Sequence, residues 1–98
     1  MVVGVLRLDL MFEGMQSLKE KRSRVNKILA RIRGSYPVSA AEVGHQNLWQ
    51  RTTLGLSMVS GDEGLIHSLF QRLEDDLSSS GLLVILDSDV EFLHYGEE

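Results

Sequence analysis

The chain has 98 residues, of which 43% are hydrophobic and 24% charged. That is enough for a single domain, residues 1–98, with one modest core and no intrinsic disorder. It has no cysteine, so disulfides, zinc–thiolate sites, iron–sulfur clusters and thiol nucleophiles are excluded together, which suits a reducing, cytoplasmic setting. The formal net charge of −4 hides a division: residues 1–51 hold nine basic and four acidic side chains, whereas residues 52–98 hold one basic residue, Arg72, and ten acidic ones.

Residues 2–12 alternate. Val2, Leu6, Leu8, Leu10 and Phe12 share one face with Gly4, and Val3, Val5, Arg7, Asp9 and Met11 form the other. This pattern predicts a strand in a sheet covered on one side only. The apolar start lacks a basic leader and meets Arg7 early, so it reads as a buried strand rather than a signal peptide. No apolar run approaches the length of a membrane-spanning helix, and no membrane partner is expected.

Glu13 to Gln16 form a turn, and Ser17-Leu18-Lys19-Glu20 fits a capping box. A helix over 17–33 follows, with Leu18, Val25, Ile28, Leu29 and Ile32 in one arc and Gly34 as the expected stop. Seven of the chain's ten basic residues fall in this helix: Lys19, Lys21, Arg22, Arg24, Lys27, Arg31 and Arg33. Lys19, Arg24, Lys27 and Arg31 lie opposite the apolar arc. Lys21 and Arg22 lie near it and are aimed partly toward the sheet.

Two short strands are expected at Tyr36–Gly44 and Gln50–Ser60, joined by a short link and therefore antiparallel. A second helix opens at Ser60-Gly61-Asp62-Glu63, with Ser60 or Asp62 as its cap. It shows Leu65, Ile66, Leu69, Phe70, Leu73 and Leu77 as its apolar stripe. The last strand runs from Leu82 to about Leu93, with Val84, Leu86, Val90 and Phe92 on one face, and Glu97 and Glu98 end in an acidic tail. The order β-α-β-β-α-β predicts an α+β, ferredoxin-like fold: a four-stranded antiparallel sheet of order 4-1-3-2 with two helices on one face.

This topology gathers Lys21, Arg22, Glu42, Trp49, Gln50 and Arg51 at one end of the sheet, with Lys19, His45 and Asn47 nearby. Glu42 is the expected partner of Lys21 or Arg22, since a buried charge needs one. A structural ion pair and an anion pocket are the two readings of this cluster, and the ion pair is preferred. Trp49 is expected to pack over the end of the core.

Enzyme readings find little. His45, His67 and His94 show no metal-ligand spacing, and His67 is expected to be partly buried in its helix. Asp87, Asp89 and Glu91 alternate on one strand face as edge protection rather than as a cation site. No cofactor, metal site or catalytic residue is predicted. The open sheet face lacks the aromatics of an RNA-recognition motif. Val3, Val5, Leu83 and Ile85 are instead expected to form an apolar patch there, suited to a homodimer or small oligomer.

Three ordered motifs carry a resemblance: Ser17-Leu18-Lys19-Glu20-Lys21-Arg22, then Val38-Ser39-Ala40-Ala41-Glu42-Val43, then Leu48-Trp49-Gln50-Arg51 with Leu54-Gly55. They resemble the bacterial YlxP-like domain-of-unknown-function family, and the resemblance covers nearly the whole chain. It implies a ferredoxin-like fold. Through gene neighbourhood with translation initiation factor two and ribosome-binding factor A, it also implies a role in ribosome maturation or translation. The family often has aspartate before the Leu-Trp pair, where this chain has Asn47.

The leading expectation is a small binding module, not an enzyme. It would contact structured RNA or a ribosomal subunit through helix 17–33, with Lys19, Arg24, Lys27 and Arg31 on phosphates and Lys21, Arg22 and Arg51 flanking. The alternative is a protein-interaction or self-assembly module that uses the open sheet face or an edge strand. A small-ligand sensor or enzyme at the motif end ranks third.

Overall fold

In a computed structural model, which describes residues 1–96, the chain runs β1 (Val2–Met11), α1 (Leu18–Ser35), β2 (Ser39–Gly44), β3 (Arg51–Ser60), α2 (Glu63–Ser79) and β4 (Val84–His94). The expected tail, Glu97 and Glu98, lies outside the described residues. The sheet order is β2-β3-β1-β4 and every pairing is antiparallel. This is the predicted ferredoxin-like order, counted from the other edge. Alternation along β1 sends Val2, Leu6, Leu8 and Leu10 into one core with Ile28, Ile32, Ile66, Phe70 and Leu73 of the helices. Among the described residues, no layer lies over the opposite face of the sheet.

Helix α1 starts where the capping box predicts. The Ser17 hydroxyl accepts from the Glu20 amide at 3.1 Å, and the Glu20 carboxylate accepts from the Gln16 amide at 2.8 Å. The returned bond thus lands one residue earlier than in the standard box. The stop differs from expectation. The helix passes through Gly34 and ends at Tyr36, which is extended (φ −135, ψ 143). Pro37 explains this, because its ring disfavours helical backbone in the residue before it. A tight turn follows, with the Val38 amide donating to the Tyr36 carbonyl at 2.9 Å, so β2 begins at Ser39 rather than Tyr36. At α2 it is Asp62, not Ser60, that caps, accepting from the Gly64 and Leu65 amides.

β4 departs most from the sequence pattern. Asp9 pairs with Asp87 and Leu10 with Ile85, so Leu86 is the extra residue of a β-bulge. The bulge shifts the alternation by one. Val90 and Phe92 face the core as expected, but Leu83 and Ile85 join the core as well, leaving Val84 and Leu86 exposed. The predicted open-face patch therefore loses Leu83 and Ile85 and gains Val84. β2 has a second bulge, at Val43, whose side chain is 60% exposed on the open face with Ser39 and Ala41.

Candidate functional site

At the motif end the geometry centres on Lys21. Its position in α1 falls inside the apolar arc, and its side chain is fully buried. The ammonium donates to Glu42 Oε2 at 2.6 Å and to the carbonyls of His45 and Gln46 at 2.9 and 3.1 Å. An ammonium has three donors, so none remains for a ligand. Glu42 Oε2 also accepts from the Thr52 hydroxyl at 2.6 Å. His45 has a left-handed backbone (φ 55), sparsely populated by non-glycine residues, and it belongs to the turn that offers both carbonyls to Lys21. The cluster ties α1, β2, β3 and the β2–β3 turn together.

The rest of the predicted cluster spreads outward. Arg22 is exposed rather than aimed at the sheet, and Gln50 is exposed while its carbonyl accepts from the Phe12 amide at 2.8 Å. Trp49, expected to cover the core, is 47% exposed, because the turn carries it past the end of the sheet. The Arg51 Nε is buried without a hydrogen-bond partner. His67, expected to be partly buried, is exposed. Among the described residues, no group of three or more His, Asp or Glu is placed to hold a metal ion.

The basic residues of α1 divide into three groups. On the flank toward α2 and β4, Arg24 donates to the Leu82 carbonyl at 2.6 Å with its guanidinium 6.0 Å from the Phe12 ring centre. Arg31, on the same flank, makes a two-pronged pair with Asp76 at 2.8 and 3.1 Å. On the flank toward β2, Arg33 donates to the Ala40 carbonyl at 2.5 Å. Lys19 and Lys27 stand exposed between them, with Ser23, Asn26 and Ala30 also exposed, and Arg22 stands exposed next to them on the β2 flank. The Gly14–Met15 turn and Glu20, Ser23, Arg24 and Lys27 line a groove of about 450 Å³ beside this ridge. Of the four predicted phosphate contacts, Lys19 and Lys27 are therefore free-standing, whereas Arg24 and Arg31 are engaged by their own chain. Periodicity alone could not reveal this, because Asp76 and Leu82 lie 45 and 58 residues from their partners.

The open sheet face holds a network that the linear pattern did not announce. Arg7 pairs with Asp9 and, at 3.1 Å, with Asp87, and the Thr53 hydroxyl donates to Asp9 Oδ1 at 2.7 Å. β1 pairing brings Asp9 level with Thr53 on one side and Asp87 on the other. The Thr53 hydrogen bond, with help from Arg7 and Arg51, holds the Asp9 carboxyl below the usual aspartate range. An unfolded aspartate titrates near 3.9. The unfolded chain thus takes up the proton first as pH falls, and this stabilisation is complete above about pH 4 and lost as pH drops through the folded value. Asp9→Asn is expected to lower the urea midpoint at neutral pH and to converge with the native chain at low pH. A constant gap between the two across a pH series would refute the assignment.

Fold and site define a small antiparallel α+β domain with one uncovered sheet face, one exposed basic ridge and a buried lysine at its centre. Residues 3–90 match the family described as "Protein of unknown function (DUF503)", and the chain belongs to that family. It is 33% identical over 72 residues, 74% of this chain and 78% of the relative, to the "Uncharacterized protein YlxP" of Bacillus subtilis (strain 168). The resemblance carried by the three motifs is thereby borne out. Among solved structures the chain is similar to the de novo designed protein Foldit4, at 15% identity and a TM-score of 0.49 over 96% of this chain and 97% of that one. It is also similar to At3g17210 from Arabidopsis thaliana, at 14% identity and a TM-score of 0.43 over 98% and 97% of the two chains. Among the described residues, no helix is long and apolar enough to cross a membrane.

Proposed function

We propose that the protein is a non-catalytic binding module that docks structured RNA, free or within a ribosomal particle, against the outer face of α1. The observation that carries this reading is the ridge of Lys19, Arg22 and Lys27, exposed and with no carboxylate bonded to any of them among the described residues. Glu20, the acid within the stretch, is turned back onto the Gln16 amide. From Lys19 to Lys27 the ridge spans about 12 Å of helix axis. The side chains between them are short, so a phosphate backbone can approach closely. Arg24 and Arg31 support the same face electrostatically while their guanidinium groups stay engaged.

Three lysine or arginine contacts to phosphate give a log–log salt slope of about −2 to −3, a loss of roughly 15- to 60-fold in affinity between about 50 and 200 mM salt. The test is binding of a structured ribosomal RNA fragment and of small ribosomal subunits at both salts, beside a Lys19→Glu, Arg22→Glu, Lys27→Glu variant. The variant is expected to fold normally, since all three side chains are exposed, and to lose both the affinity and the slope. Equal binding by the native chain and the variant would refute the reading.

A further inference from the structure

Three features stand out beyond the α1 ridge: the groove around Arg24, the Arg7–Asp9–Asp87 network and the bare face of the sheet. The groove adjoins the ridge and belongs to that reading, and the network is satisfied within the chain. The bare face goes further.

Both helices lie on one side of the sheet, so among the described residues nothing covers the other side. The register sets out that side in rows. Val59, Val3 and Leu93 form an apolar row at one end, and Met11 and Val84 form another beside Arg51 at the opposite end. Val59, Leu93, Val84 and Val43 are exposed by 58, 42, 43 and 60%. Between the rows, Val5, Ala41, Val43 and Gly55 line a shallow apolar depression of about 330 Å³. The charged groups at the centre are already paired with one another, Arg7 with Asp9 and Asp87.

We infer that this face is the interface between two copies of the chain, packed sheet to sheet about a two-fold axis that runs along the strands. The size fits. Four strands of six to eleven residues give a footprint of about 600 Å². Side-chain relief brings its accessible area toward the roughly 800 Å² per partner of a standard interface. The charges select the axis. A two-fold across the strands lays β4 on β4 and stacks the Asp89 and Glu91 acids of both copies. A two-fold along the strands lays β4 over β2 of the second copy, whose open face offers Ser39, Ala41 and Val43 and no acid. Asp89 and Glu91, on an edge strand, then stay at the hydrated rim, outside the apolar rows and the internally paired Arg7, Asp9 and Asp87. The two α1 ridges face outward on opposite sides, so this inference does not depend on what α1 binds.

The experiment is sedimentation equilibrium of the native chain, of Val59→Asp, and of Ser39→Lys and Ser39→Glu. The native chain is expected to dimerise, and Val59→Asp to be monomeric with an unchanged circular dichroism spectrum. Ser39 lies opposite Glu91 of the second copy, so Ser39→Lys should tighten the dimer by about 2- to 5-fold and Ser39→Glu should weaken it by a similar factor. A native chain monomeric up to about 1 mM would overturn the proposal and leave the face to a different protein. So would a dimer indifferent to Val59→Asp, or one that Ser39→Lys does not tighten. If Val59→Asp unfolds the chain, the opposed Ser39 pair still decides.

Discussion

Glu42→Ala is expected to be among the most destabilising single changes in the chain, costing about 3–5 kcal/mol. The reason is the asymmetry of the pair. The Lys21 side chain has no exposure, whereas Glu42 retains 19%. Removing Glu42 leaves a buried ammonium with two carbonyls and no counter-charge, and the Thr52 hydroxyl loses its acceptor. Removing the charge from the other side, as in Lys21→Met, leaves a carboxylate that water can reach. It also keeps most of the packing volume inside the arc of Val25, Ile28 and Leu29. Lys21→Met should therefore cost less than Glu42→Ala, and the double variant Lys21→Met, Glu42→Ala less than the sum of the two. Urea denaturation of the three variants measures this coupling, which for groups in contact is about 0.5–3 kcal/mol. Additive losses, or a Lys21→Met more damaging than Glu42→Ala, would show that the pair does not hold α1 to the β2–β3 turn.

That expectation bears on the motifs of the family. Lys21 and Glu42 belong to two of the three motifs that carried the resemblance, yet their polar atoms bind each other, Thr52 and two turn carbonyls. These two residues are explained by folding. The exposed members of the same motifs, Lys19, Arg22, Trp49 and Gln50, have no such explanation in this chain, and functional tests belong on them.

The parts of the fold visible in the sequence share a local cause. β1 was legible because one residue in two faces the helices, and α1 because its cap and apolar arc are written within a single turn or two. Asp62 against Ser60 was undecided because either side chain can reach the free amides, and only the path of the backbone selects one. Gly34 misled because a glycine permits a stop without requiring one, whereas Pro37 requires extended backbone at Tyr36. The phase of β4 was lost at Leu86, since a bulge is a property of the pairing with β1 and leaves no mark in one strand. Site legibility follows the same division. Lys21 was found because its helical position conflicts with its charge, and the conflict predicts a partner. Arg24 and Arg31 looked free because their partners come from the far end of the chain.

Gly4→Ala is the second change expected to have a large effect, and its direction tests how α2 sits on the sheet. Gly4 lies in β1 on the core-facing side, between Val2 and Leu6. Ordinarily, alanine for glycine in a strand gains about 0.5–1 kcal/mol of backbone entropy. Here a Cβ at position 4 would stand 2.4 Å from Ile66 Cγ2 and 3.0 Å from the Phe70 ring. Ile66 is branched and fully buried and Phe70 nearly so, so neither can swing aside without moving α2. Overpacking of this kind costs about 1–3 kcal/mol, which outweighs the entropy gain, so Gly4→Ala should lower the unfolding midpoint, and Gly4→Val should lower it further. Ile66→Ala alone should also destabilise, by about 2–5 kcal/mol, through the cavity it opens. Combined with Gly4→Ala it should cost less than the two together, because the new methyl fills part of that space. A Gly4→Ala chain as stable as the native one would mean that α2 has room to shift along β1. A penalty unrelieved by Ile66→Ala would place the strain in the β1 backbone instead of against the helix.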